Sequence, residues 1–267
     1  SGYFGRDKFD FVNNKRQFDV EVPWGNSTLS ARWNHVFHKK LFMNTTAVYN
    51  DYQFSLGALQ NSFKFVLSSG IRDLNLKTDL DHYLTPEHKL KYGALFTYHR
   101  ISPSVASGRQ DSVLFQPNNA QTKFANEFGV YAQDDWEVGK NLKINYGLRW
   151  SAFQQLGPYT TYTTDINGNR LDSLKYDRNA IVKTYQGLEP RLTFRYTLNE
   201  ETSIKSSVSR NRQYLHLVSN AGTTLPTDVW VPSTLAVKPQ LSWQYSTGVF
   251  KNFKDNSFET SVEVYYK

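Results

Sequence analysis

A carboxylate beside an imidazole can orient it as a general base, and Asp81-His82 is such a neighbour pair. Asp134-Asp135 adds two adjacent carboxylates. Other reactive chemistry is thin. The chain has no Cys, which removes thiolate nucleophiles, thiolate metal sites and disulfide scaffolds. His35 and His38 flank one turn, and His82, His88 and His99 flank another hairpin, but no ligand spacing joins them to a carboxylate. No metal site and no cofactor are expected. Gly168, in Ile166-Asn167-Gly168-Asn169, is an Asn-Gly turn that accepts positive φ, not a phosphate cradle. Lys and Arg outnumber Asp and Glu by 31 to 24, but no basic run reaches five, so nucleic acid is not an expected partner.

Binding chemistry is better represented. Pro158-Tyr159-Thr160-Thr161-Tyr162, Arg210-Asn211-Arg212-Gln213-Tyr214 and Asp228-Val229-Trp230 combine aromatic faces with hydrogen-bonding groups. Aromatic faces stack on sugars or chelate rings, and the Arg fork of donors suits carboxylates and phosphates. Tyr159, Tyr162, Arg210, Arg212, Tyr214 and Trp230 are therefore the ligand-contact candidates. Arg149, Arg191, Arg195, Arg210 and Arg212 are expected to line an interior, where they would pair with acids or attract an anionic ligand.

The elements that must position these residues are strands. Leu142, Ile144, Tyr146, Leu148 and Trp150 alternate with Lys143, Asn145, Gly147, Arg149 and Ser151. Leu192, Phe194, Tyr196 and Leu198 repeat the pattern against Arg191, Thr193, Arg195 and Thr197. Tyr, Phe, Trp, Thr and Val all favour strands. Short links join the segments as antiparallel hairpins: His38-Lys39-Lys40, Thr85-Pro86-Glu87, Gly139-Lys140-Asn141, Asn199-Glu200-Glu201 and Lys254-Asp255-Asn256. On the other side the connections are long, over 103–121, 157–186 and 217–239.

Short turns at one end and long loops at the other predict an all-β, antiparallel transmembrane β-barrel of the outer membrane. No run of about 18 apolar residues offers a membrane helix. About 10 strands are expected over 26–267, with 1–25 an irregular lead-in holding at most one strand, 16–22. Trp136, Trp150 and Trp243 are the expected interfacial aromatic anchors, in a chain that is 15% aromatic. Over 41–58 both phases are mixed, so the lipid-facing side is open. In 61–83 the apolar phase shifts between Phe63-Phe65-Leu67-Ile71 and Leu74-Leu76-Leu80, which predicts a bulge near Arg72-Asp73. Asp81-His82 and Asp134-Asp135 would match the residue pairs of ten-stranded outer-membrane proteases. Their closeness to the short turns puts them at the periplasmic end, away from such a site, and no enzyme is expected.

Four stretches carry a family resemblance: Leu29 to Phe37 with Lys40 to Thr46; Glu127 to Trp136 through Leu148-Arg149-Trp150; Glu189-Pro190-Arg191-Leu192 leading to Ser207-Val208-Ser209-Arg210; and Pro239-Gln240-Leu241-Ser242 through Glu263 to Lys267. Together, over about 26–267, they resemble the barrel of TonB-dependent receptors. The likeness is to the Bacteroidota-type branch with a carboxypeptidase-regulatory-like N-terminal domain. The resemblance implies a 22-stranded barrel in the Gram-negative outer membrane, of which this is a part. It implies a plug domain and remaining barrel strands as partners, TonB as energy source through a further N-terminal part, and outer-membrane lipid around it. It implies uptake of a scarce nutrient bound at the extracellular loops. The chain opens Ser1-Gly2-Tyr3-Phe4 and ends within an alternating pattern, as expected of a fragment. Two alternatives stay open. One is a self-contained small barrel acting as a porin or surface protein. The other is an accessory barrel in a larger outer-membrane complex, or beside a surface lipoprotein, without transport.

Overall fold

The structure, a computed structural model, describes residues 1–13, 18–61, 63–110, 113–115, 121–218, 229–254 and 257–267. The strands are β1 (Gly2–Asn13), β2 (Phe18–His38), β3 (Leu41–Gln60), β4 (Phe63–Tyr83), β5 (His88–Gln110), β6 (Val113–Phe115), β7 (Lys123–Val138) and β8 (Leu142–Leu156). They continue with β9 (Tyr159–Thr164), β10 (Arg170–Tyr176), β11 (Ile181–Asn199), β12 (Thr202–Gln213), β13 (Leu215–Val218), β14 (Val229–Pro232), β15 (Gln240–Phe253) and β16 (Phe258–Tyr266). One antiparallel sheet runs β1-β2-β3-β4-β5-β7-β8-β11-β12-β15-β16, with β6 attached to β5. β9-β10 and β13-β14 are two small hairpins within the long connections. No helix among the described residues is long and apolar enough to cross a membrane.

The sheet begins earlier than composition suggests. The described part of residues 1–25 is not an irregular lead-in: β1 pairs with β2 without a break from Gly2↔Leu29 to Asn13↔Phe18. Pro23 makes the segment read as a breaker. It sits in β2 opposite Lys8, while the ladder to β3 lapses between Glu21↔Gly57 and Trp24↔Phe54. Proline has no N–H to donate, so one side of the strand forgoes pairing there and the other side carries it. Arg16, in the expected strand 16–22, lies outside the described residues, as do Asp255 and Asn256 of the last turn.

Register settles the phase of β3. Tyr49, Ala47, Thr45 and Met43 stand opposite Leu29, Ala31, Trp33 and His35, so they share the outward face. Their next neighbours on that face are Leu74, Leu76, Thr78 and Leu80 of β4. Leu74 and Leu76 are 52% and 50% exposed, and Val130, Leu148, Trp150 and Leu192 of later strands are similarly bare. A water-soluble sheet would bury such a face; a lipid-facing one leaves it open.

The expected bulge at Arg72-Asp73 is not there. Arg72↔Arg100 and Asp73↔His99 pair in unbroken register, and the irregularity falls between Ser68 and Gly70. The change of apolar phase has another cause. In the half of β4 near the short turn, Leu74 and Leu76 point outward. In the other half, Ile71 takes the inward phase and is buried together with Phe54 and Ile101. The strand stays regular while its surroundings change, from hydrocarbon outside to water outside.

These faces differ in what they tolerate. Leu76→Arg, on the outward face, is expected to destabilise the barrel by about 2–4 kcal/mol, whereas Thr193→Arg, on the inward face, is expected to cost little. Urea unfolding of the full polypeptide in lipid vesicles measures both. Equal costs would mean the faces are assigned wrongly.

Candidate functional site: an inward polar track capped by a loop

Alternation delivers the inward side chains, and register lines them up. Asp73 of β4 pairs with His99 of β5, and Arg149 of β8 pairs with Glu189 of β11. Glu127 projects between them from β7. His99 Nδ1 lies 2.8 Å from Asp73 Oδ1, and its Nε2 lies 3.6 Å from Glu127 Oε2. Arg149 reaches Glu127 Oε1 at 3.5 Å and Glu189 Oε1 at 4.0 Å. Ser151 donates to Glu189 and shares a 2.8 Å hydrogen bond with the Tyr214 hydroxyl. Acids and bases thus alternate across five neighbouring strands.

Glycines make room for the arginines. A Cβ at Gly187 would overlap the Arg212 guanidinium, and one at Gly129 would crowd that of Arg149 to about 3.1–3.2 Å. Each flat guanidinium lies over bare backbone. The Arg212 amide also donates to Glu189 Oε2 at 3.4 Å, which ties the end of β12 to the same carboxylate.

The loop after β12 closes over this track. Tyr214 is buried, stacked on Phe153 with ring centroids 5.2 Å apart and planes 11° apart. Ala125 completes this small cluster. Burial pushes the Tyr214 phenol above its ordinary value, so it remains a hydroxyl. Further along, Leu235 N donates to Gln155 Oε1 at 3.0 Å, Tyr185 donates to the Thr234 carbonyl at 2.8 Å, and Ser233 N donates to the Tyr214 carbonyl at 2.7 Å. A cavity of about 680 Å³ opens beside the cap, lined in part by Glu127, Asn211, Arg212, Gln213, Tyr214 and Gln240.

The six ligand-contact candidates do not converge. Arg212 and Tyr214 meet in the capped track. Arg210 belongs to the opposite face, where its guanidinium lies 5.6 Å from the Trp243 ring; the expectation that it lines the interior is corrected. Alternation alone does not separate them, since Arg210 and Arg212 stand two residues apart on β12 opposite Trp243 and Leu241; their side chains part instead, Arg210 toward the Trp243 ring and Arg212 over Gly187. Tyr159 and Tyr162 lie on the β9-β10 hairpin, where Arg170 covers the Tyr162 ring at 4.1 Å. Its tip is the Asn167-Gly168 turn, with φ of 85° at Gly168. Asp165 accepts from the Asn169 side chain and from the amides of Asn167 and Asn169, which holds its carboxyl below the usual range. Trp230 lies on β14 opposite Leu217, in a hairpin that rests against β4 and β5. Asp228 is outside the described residues. Of the aromatic anchors, Trp136 stacks on His88 beside a short turn, Trp150 stands mid-sheet between Val130 and Leu188, and Trp243 stacks on Tyr245.

Near the short turn, Asp134 pairs with His88 at 2.6 Å and accepts from Tyr146 at 3.1 Å. His82 instead faces His38 and Tyr92. Among the described residues, no group of three or more His, Asp or Glu is placed to hold a metal. Sequence reasoning missed Asp73, Glu127, Ser151 and Phe153 as members of one track. The signal was present, since each sits on the polar or inward phase of its strand, but only register shows them to be neighbours.

The whole chain, residues 1–267, matches the family described as "TonB dependent receptor-like, beta-barrel". No curated protein matches it by sequence. Among solved structures, the copper transporter OprC superimposes with a TM-score of 0.61 at 11% identity, over 95% of this chain and 43% of that one. The siderophore receptor PiuA from Acinetobacter baumannii gives 0.59 at 12% identity, over 94% and 40%. The ferric yersiniabactin uptake receptor FyuA from Yersinia pestis gives 0.56 at 10%, over 99% and 45%. The fold is shared, and the chain spans under half the length of each.

The track makes a prediction of its own. Glu189→Ala removes the acceptor that joins Ser151, Arg149 and the Arg212 amide. A lost buried hydrogen bond costs about 1–3 kcal/mol. Tryptic cleavage after Arg212 is expected to accelerate about five-fold or more, read by mass spectrometry under native conditions. An unchanged rate would mean that Glu189 does not hold the cap.

Proposed function

This chain belongs to the TonB-dependent receptor-like β-barrel family, and from that premise we propose that it forms part of the wall of an energised nutrient receptor. Barrels of this family are outer-membrane proteins of Gram-negative cells, and both the family and the similar folds are receptors and transporters, not enzymes. In the proposed cycle, the extracellular loops and the capped track bind a scarce nutrient. TonB then supplies the energy that moves a plug and opens the lumen. Metal chelates, a cofactor, oligosaccharides and peptides are the candidate nutrients; the similar structures are a copper transporter, a siderophore receptor and a ferric yersiniabactin uptake receptor.

One observation carries the reading. Three buried nitrogens of the inward track make no close hydrogen bond among the described residues: His99 Nε2 and Arg149 Nε have only the longer contacts to Glu127 and Glu189 at 3.6 Å and 4.0 Å, and Arg212 Nε has no carboxylate within ion-pair distance. An unmade buried bond is costly. A plug or a ligand presenting carboxylate or phosphate oxygens supplies what these donors need. The sheet edges support the same reading. Among the described residues, β1 pairs only with β2 and β16 only with β15, and in a membrane such edges require further strands. A self-contained barrel would need β1 and β16 to pair with each other.

The test is ligand binding and accumulation by the full polypeptide in cells with and without TonB. Binding is expected to persist without TonB while accumulation stops. Arg212→Ala is expected to weaken binding about ten-fold, equivalent to about 1.4 kcal/mol. Accumulation that is indifferent to TonB would return the chain to a porin or accessory role.

A further inference from the structure

The outward face changes character one crossing length above the short turns. About 9–11 residues cross the hydrocarbon. Along β4 the outward residues run Leu80, Thr78, Leu76, Leu74 and then Arg72; along β5 they run Leu90, Tyr92, Ala94, Phe96, Tyr98 and then Arg100. Arg72 and Arg100 are direct partners across the two strands. Arg178, from the connection after β10, joins them. The three arginines line one cavity of about 570 Å³, whose remaining wall includes Leu74, Tyr98 and Phe124. Tyr98 and Phe124 stack with centroids 6.2 Å apart and planes 21° apart, forming an aromatic floor.

The arginines are unequally engaged. Arg72 is held by Asp51, at 2.6 Å and 2.9 Å from its Nη2 and Nε, and this pairing holds its side chain in place. Arg100 and Arg178 have no hydrogen-bond or ion-pair partner among the described residues, which leaves two uncompensated positive charges at the rim of the apolar belt. Directly below, and continuous through Leu74, an apolar groove of about 430 Å³ runs down the same face. Ala31 and Ala47 are its small floor residues, and Leu29, Tyr49, Leu76 and Phe96 line its sides.

We propose that this composite site binds a phosphorylated lipid of the outer leaflet, with its headgroup phosphate between Arg100 and Arg178 and an acyl chain in the Ala31–Ala47 groove. Each part of the site has a matching part in such a molecule. Guanidinium forks take phosphate oxygens in bidentate fashion. Basic groups near a membrane surface attract anionic headgroups. An apolar groove faced by alanines admits a methylene chain that the larger residues elsewhere on this face would exclude. Arg72, already neutralised by Asp51, orients the cage. The proposal rests on the outer-membrane location of the family and not on nutrient uptake, so either can fail without the other.

The test uses the full polypeptide, delipidated in detergent, with native mass spectrometry as readout. Bisphosphorylated lipid A, its dephosphorylated counterpart and inorganic phosphate are the probes. The phosphorylated lipid is expected to bind at least ten-fold more tightly than the dephosphorylated one, and millimolar phosphate is expected not to displace it. Arg100→Gln with Arg178→Gln should remove the difference between the two lipids. Ala47→Phe should weaken binding of both, while Arg191→Gln on the inward face should change neither. Heat-modifiable gel migration confirms that each variant is folded, and an Arg100→Lys variant that keeps part of the selectivity guards against a misfolded double variant. Equal binding of the two lipids would overturn the proposal. So would displacement by phosphate alone, which would make this a free-anion site.

Discussion

In hydrocarbon there is no water to pair a bare N–H or C=O, so every backbone group in the membrane must find its partner within the sheet. Most of this chain follows from that constraint. The strands are long because each must cross the membrane and continue past it, and the ladder from β1 to β16 runs with only local lapses. An apolar core is almost dispensable. Ala125, Phe153 and Tyr214 form the one cluster of buried hydrophobic residues among those described, and it sits under the loop cap. The ladder holds the wall, and side chains are left free to serve the two solvents on either side of it.

Those two solvents explain why the two phases of a strand carry opposite chemistry, and why the chemistry changes partway along. Inside, charges alternate: Asp73, His99, Glu127, Arg149, Glu189. Outside, the belt is apolar until Arg72 and Arg100. Beyond that level, apolar residues such as Ile71, Ile101 and Phe54 turn up on the inside instead. A strand with constant geometry therefore shows a changing pattern.

Pattern alone reveals the hairpins and the barrel class, because Leu142 to Trp150 and Leu192 to Leu198 alternate without interruption and short polar turns join them. It fails where the cause is not local. Residues 1–25 look irregular because Pro23 is a breaker in isolation, yet a strand paired on one side at that point tolerates it. The shift in β4 looks like a bulge because a change of surroundings and a change of geometry leave the same trace in sequence. The mixed face of β3 becomes readable only once Tyr49 and Ala47 are set beside Leu29 and Ala31. For the site, Arg149 was visible as an inward residue. Its two acids were not, because Glu127 and Glu189 are distant in sequence and become its neighbours through register.

Arginine serves both faces for one physical reason. Its guanidinium is planar, so it can lie flat where an ammonium would need a hydration shell. Inside the wall, Gly129 and Gly187 supply backbone for Arg149 and Arg212 to lie on, and a Cβ at Gly187 would evict its arginine. Outside, rings take the place of glycine: Trp243 beneath Arg210, and the Tyr98–Phe124 pair beside Arg100. The choice of support follows the solvent. An aromatic ring is at home between lipid and water, whereas the inward face needs flat, uncluttered backbone that leaves the donors pointing into the lumen.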